Sequence, residues 1–172
     1  IESSWTGYVE VLAATLAVPC LGSRRTLTYE PGHKVVVPDH PHRIICLAPS
    51  VADTVFALGA GADVVAVSDY TKYPAEAAQK PSIGGIVDPS IEKILALHPD
   101  LVIGIATMGP SASTTQLERL GIPVFLTNPH GLSGIRHSVE SVGQVLDRAP
   151  QSIALAASLQ QRIEAVKART KN

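Results

Sequence analysis

The chain has 172 residues, about one domain's worth, with 45% apolar and 17% charged side chains and a formal net charge of −1. That balance excludes a disordered, highly charged tail, and it offers no basic excess for a nucleic-acid backbone. One Trp, four Tyr and two Phe leave little for a base-stacking platform, two Cys cannot build a disulfide framework, and no apolar run approaches the roughly 20 residues of a membrane-spanning helix.

Residues 1–24 read as an N-terminal extension. Tyr8 to Leu21 are mostly apolar but are broken by Glu10, and no basic stretch precedes them. A short helix packed on the domain is expected; a signal-peptide remnant stays open. Cys20 lacks the Leu three residues upstream that lipidation wants, since Ala17 stands there. Thr26–Tyr29 and Lys34–Val37 then flank Glu30-Pro31-Gly32-His33, which predicts a hairpin. Pro38 and Pro41 stop regular structure.

From Ile44 the pattern alternates. Ile44–Ala48 is wholly apolar, as a parallel strand buried on both faces requires. Ser50 with Asp53 predicts a capping box for a helix that Gly59 ends. Val64–Ser68 is the next strand. A short helical piece is expected over Ala75–Ala78. Asp88-Pro89 predicts a helix start and Leu97 its end. Leu101–Ile105 is a strand. Ser113 with Gln116 predicts a helix to Leu120, closed by Gly121. Pro123–Thr127 is a strand, and Ser133 predicts a cap for a helix to about Leu146. Strand–helix alternation of this kind predicts an α/β fold: a single Rossmann-like lobe with a short parallel sheet flanked by helices. Residues 25–148 form that lobe. Residues 149–172 predict one long helix with an apolar stripe at Ala156, Leu159, Ile163 and Val166, and no strand follows it.

Catalytic signatures are missing. Gly59-Ala60-Gly61 has no strand before it and no third Gly, and neither a phosphate-binding Gly-Lys-Ser/Thr loop nor a nucleophile elbow occurs. Cys46 sits mid-strand, where a thiol behaves as a small buried hydrophobe. Asp39, His40 and His42 are the one histidine cluster, and a metal-ion receptor built on them stays open. Open sheets of this class bind ligands beyond the carboxyl ends of their strands. That rule selects four loops, whose candidate residues are Pro49, Ser50, Tyr70, Tyr73, Thr107, Asn128 and His130. They are polar, aromatic-edged and uncharged, which suits holding a ligand. A small α/β enzyme acting through Ser50, Tyr70 or His130 is the other alternative.

Three blocks carry a resemblance. Pro41–Ser50 with Phe56–Gly59, Val65–Tyr70 and Tyr73-Pro74 is the first; Gly84-Gly85 with Ile91–Ile103 is the second; Gln116-Leu117 with Leu120–Val124 is the third. In this order and spacing, over about residues 25–170, they resemble the helical-backbone substrate-binding proteins of ABC importers, which serve cobalamin, ferric siderophores and haem. The resemblance implies a periplasmic or cell-surface receptor rather than an enzyme. It implies no cofactor and no nucleic-acid partner. It also implies a second lobe beyond the long helix, absent from this chain, or a homodimer that rebuilds a cleft. Tyr70 matches a cleft aromatic that contacts the corrin ring, and Ile86 stands where cobalamin binders tend to place a Trp. Glu92 matches the acidic residue that docks on arginines of the membrane permease. Asp53 stands where many relatives have Glu.

Overall fold

The computed structural model describes residues 23–29, 32–106 and 111–170. The expectations for the N-terminal segment up to residue 22, Cys20 included, and for Thr107 lie outside these residues.

The hairpin forms as the sequence predicts. Strand β1 (Arg24–Tyr29) pairs antiparallel with β2 (His33–Pro38), with Leu27 opposite Val35 and Arg25 opposite Val37. Gly32, at φ +90°, supplies the backbone conformation that a side chain would resist at the start of the return strand. Alternate residues of β2, Val35 and Val37, turn inward and are buried.

The main sheet has four strands: β3 (Ile44–Cys46), β4 (Val64–Val67), β5 (Leu101–Ile105) and β6 (Val124–Thr127). Their spatial order is β4-β3-β5-β6, all parallel. Helices α1 (Pro49–Ala57), α2 (Ala75–Ala78), α3 (Ile91–Ala96), α4 (Ala112–Arg119), α5 (Gly131–Val145) and α6 (Ala149–Arg169) complete the lobe. The short strands are saturated with Ile, Val and Leu because helices cover both faces of a parallel sheet. Ile44, Ile45, Leu101 and Ile103 are fully buried, joined by Val55 of α1, Ile94 of α3, Leu117 of α4 and Val145 of α5. Each such side chain contributes about 1.5–3 kcal/mol by leaving water.

Element types match the expectations, while four helix starts differ. Helix α1 begins at Pro49 with Ala48 as N-cap, and no side chain caps it. Pro49 needs no N–H partner at the first helical position, so the helix starts two residues early and Ser50 falls inside it. Helix α3 is capped by Ser90, whose Oγ accepts from Lys93 N at 3.3 Å, rather than by Asp88. Pro89 is instead held in a bridge to Gly84. Ser111 rather than Ser113 caps α4, accepting from Thr114 N at 3.1 Å. Helix α5 starts at Gly131 after His130, which leaves Ser133 within the first turn.

The chain leaves β3 toward β4 on one side, and the later strand β5 lies on the other. That reversal of direction opens a crevice at the carboxyl ends of β3 and β5.

Candidate functional site

The carboxyl-end rim is built by the turns that follow each strand. After β4, Thr71 N donates to Ser68 O at 3.0 Å, closing a four-residue turn. The Ser68 and Thr71 hydroxyls are buried and lie 3.1 Å apart, so they satisfy each other. Asp69 N donates to Gly84 O at 2.9 Å, and the Ser82 hydroxyl donates to the Asp69 carboxylate. Both ends of the turn are therefore anchored. Tyr70, at its crown, has nowhere to go but outward, and it is 63% exposed. An exposed aromatic on a fixed backbone gives a flat apolar face at little entropic cost.

The other predicted rim residues separate into groups. Pro49 is half-buried at the first turn of α1, and the exposed Ser50 follows it beside the crevice. Asn128 and His130 lie exposed after β6, with His130 Nδ1 2.8 Å from Asn128 Oδ1. Ile86 is half-buried and packs against the core, so it presents no stacking face comparable to a Trp ring. Tyr73 lies apart from these. It is exposed, but it lines a groove of about 550 Å³ with Asp53, Phe56 and Glu76, along the flank made by α1 and α2. Partial burial in that groove raises the Asp53 carboxyl above its ordinary range. Tyr70 does not line that groove.

Ser50 lies in the first turn of α1 and Tyr70 and His130 stand on two separate loops, and no hydrogen bond joins any two of the three among the described residues. The Cys46 thiol is buried, and burial pushes its pKa up to about 12. A neutral, enclosed thiol is neither a nucleophile nor a metal ligand at physiological pH.

The histidine pair lies at the opposite edge, just before β3. His40 Nδ1 is 3.0 Å from Asp147 Oδ2, and His42 Nδ1 is 3.2 Å from Asp63 Oδ1. Each imidazole has its own carboxylate. Among the described residues no three His, Cys, Asp or Glu side chains form a group able to hold a metal ion. Asp39 is turned to Arg25, 4.0 Å away.

Glu92 is exposed in the first turn of α3. The helix dipole favours a carboxylate there without any further partner. The positioning residues Ser68, Thr71 and Ser82 were not singled out from sequence. Their signal is weak, because serine and threonine in a loop are ordinary until the turn shows them buried and paired.

A family model described as periplasmic binding protein matches residues 44–172. The vitamin B12-binding protein of Vibrio campbellii (strain ATCC BAA-1116) is 31% identical over 125 residues, covering 73% of this chain and 46% of that protein. Among solved structures, the periplasmic haem-binding protein RhuT from Roseiflexus sp. RS-1 has a TM-score of 0.70 and 32% identity, covering 76% of this chain and 52% of the other. The periplasmic vitamin B12-binding protein BtuF of Vibrio cholerae has a TM-score of 0.68 and 29% identity, covering 75% and 51%. The chain spans about half the length of the curated relatives it matches.

Proposed function

The chain belongs to the periplasmic binding protein family, and from that premise we propose that it forms one lobe of an extracytoplasmic receptor that captures a ligand for an ABC importer. The ligand class is a cobalamin- or haem-like tetrapyrrole or a ferric siderophore. The receptor binds without turnover, and its macromolecular partner is the membrane permease. Residues 25–148 are the ligand-binding lobe, and residues 149–172 are the connecting helix to a second lobe.

One observation carries this reading: among the described residues, an apolar face along the terminal helix has no partner. Ser152 and Ala156 of α6 are buried, whereas Val166 is 60% exposed. Leu132 of α5 lies beside Leu159, Ile163 and Val166 of α6 around an open apolar groove of about 520 Å³. An apolar stripe of this kind is buried by a neighbouring element in a stable protein. In the proposed receptor that neighbour is the second lobe.

The ligand class rests on the printed names of the relatives and on the rim. Tyr70 is an exposed flat face at the crevice edge, and the flanking groups are hydroxyl, amide and imidazole rather than a charged cluster. A large conjugated ligand is recognised by such a surface with few ionic contacts. Packing of Ile86 in place of a projecting ring supports haem-like or siderophore ligands as strongly as cobalamin.

Calorimetric titration of cyanocobalamin, haemin and a ferric siderophore tests the proposal. A receptor that includes the second lobe is expected to bind one of them with sub-micromolar affinity, while the 172-residue chain binds it at roughly 10 µM or weaker, because half the contacts are missing. Failure of the two-lobe protein to bind any of them overturns the ligand class. Tight binding by the monomeric 172-residue chain overturns the one-lobe reading.

A further inference from the structure

The turn from α5 into α6 is held from outside by residues distant in sequence. Only Leu146, Asp147 and Arg148 separate the two helices. Asp147 adopts φ +56°, a left-handed conformation that a side-chain-bearing residue resists. Within the turn, Arg148 N donates to Gly143 O at 2.7 Å. A further restraint comes from the N-terminal hairpin. The Arg25 guanidinium donates to Gln144 O at 2.6 Å and Val145 O at 3.0 Å, the last carbonyls of α5. Its other nitrogen lies 3.9 Å from Asp147 and 4.0 Å from Asp39. On the far side of the turn, His40 Nδ1 meets the second Asp147 oxygen at 3.0 Å.

This arrangement is more than a surface ion pair. A planar guanidinium is capping a helix C-terminus, where the carbonyls lack partners and the dipole end is negative. Charge-assisted bonds of this kind are stronger than neutral ones and fix direction as well as distance. Arg25 is itself immobilised, because its backbone pairs with the buried Val37 in the hairpin register. Helix α6 also packs on α5, where Ser152 abuts Gly143, but its buried residues, Ser152 and Ala156, lie in its first half, next to the turn.

We propose that Arg25 is a positioning residue that locks the root of α6 through Gln144, Val145 and Asp147, with His40 as the second hold, so that the N-terminal hairpin sets the angle at which the terminal helix leaves the lobe. The lock is a property of this chain. Its consequence, that the hairpin sets the spacing of two lobes around a ligand, rests on the function proposed above.

The test measures helix direction rather than stability. In a Cys20→Ser background, spin labels at Ala57→Cys of α1 and Ala165→Cys of α6, both exposed positions, report the α6 angle by pulsed electron resonance. Labels at Ala57→Cys and Gln116→Cys of α4 report the lobe alone. Arg25→Ala is expected to broaden the α1–α6 distance distribution about twofold or to shift its mean, with the α1–α4 distribution unchanged. Arg25→Lys, whose single ammonium lacks the second nitrogen that faces Asp147 while the first holds the two carbonyls, is expected to restore it in part. Asp147→Asn keeps the left-handed tendency but loses the charge, and is expected to broaden the α1–α6 distribution less than Arg25→Ala. An unchanged α1–α6 distribution in both Arg25→Ala and Asp147→Asn overturns the lock. Equal broadening of the α1–α4 pair also overturns it, since the hairpin would then be holding the whole lobe. Should the two-lobe protein bind none of the ligands tested while these distances behave as expected, the receptor reading falls and the lock stands.

Discussion

Gly143 of α5 and Ser152 of α6 meet with no room between them: a Cβ on Gly143 would stand 2.1 Å from both Cβ and Oγ of Ser152. The absence of a side chain is what lets the two helices approach across so short a turn. Ser152 is buried, and its hydroxyl donates to Ala149 O at 3.0 Å, so it cannot simply swing aside. Gly143→Ala is expected to lower unfolding free energy by about 1–3 kcal/mol through overpacking, measured by urea denaturation. Gly143→Ala with Ser152→Gly should recover part of that loss; a single variant as stable as the parent would mean that the helices can part at no cost.

Cys46 gives a pH dependence. Its folded-state pKa is about 12 against an ordinary 9.0, because burial penalises the thiolate. The unfolded thiol loses its proton first, so the unfolded state binds fewer protons above pH 9.0. Stability from this residue is complete below 9.0 and declines between 9.0 and about 12, with a limiting slope of about 1.4 kcal/mol per pH unit. Cys46→Ala should flatten that part of a stability–pH curve. In native protein Cys46 should resist a thiol reagent that labels it fully in denaturant, and rapid native labelling would contradict its enclosure.

The caps separate neighbouring serines. Ser111 holds Thr114 N at the start of α4, while Ser113 lies within the helix. Ser111→Ala is expected to cost about 1 kcal/mol and Ser113→Ala a few tenths at most. Thermal unfolding of the pair decides, and a larger loss at Ser113 would place the helix start two residues later.

The two rim tyrosines are expected to behave differently. Tyr70 projects from a braced turn at the crevice, whereas Tyr73 lies in the groove shared with Phe56 and Asp53. In the two-lobe protein, Tyr70→Ala should weaken ligand binding about tenfold or more, and Tyr73→Ala about twofold or less. Equal losses by titration would put Tyr73 back at the ligand.

Glu92 is exposed at the first turn of α3. In the proposed receptor Glu92 is the docking carboxylate, expected to act on the permease and not on the ligand. Glu92→Ala in the two-lobe protein should reduce uptake about tenfold in a transport assay and leave ligand affinity within about twofold. A large affinity loss would move Glu92 into the binding site.

Much of this lobe is written in local pattern. Apolar runs such as Leu101–Ile105 fix buried parallel strands, because no other element tolerates such a run between turn signals. Glycines such as Gly59 and Gly121 mark helix ends through the positive φ that they alone adopt cheaply. The sequence by itself thus determined the α/β order, the hairpin and the long last helix. What it could not decide is which of several nearby capping residues caps a helix, since each is chemically competent and only the path of the backbone selects Ser90 over Asp88 or Ser111 over Ser113. Nor could it separate Tyr70 from Tyr73, because both follow the same strand; the turn closed by Ser68 and Thr71 carries Tyr70, while Tyr73 lies in the groove with Asp53 and Phe56. The Arg25 hold on Asp147 was equally invisible. Its partners lie about 120 residues apart, and a contact of that kind exists only after the sheet and helices have packed and brought the hairpin to the root of α6, where charge meets unpaired carbonyls.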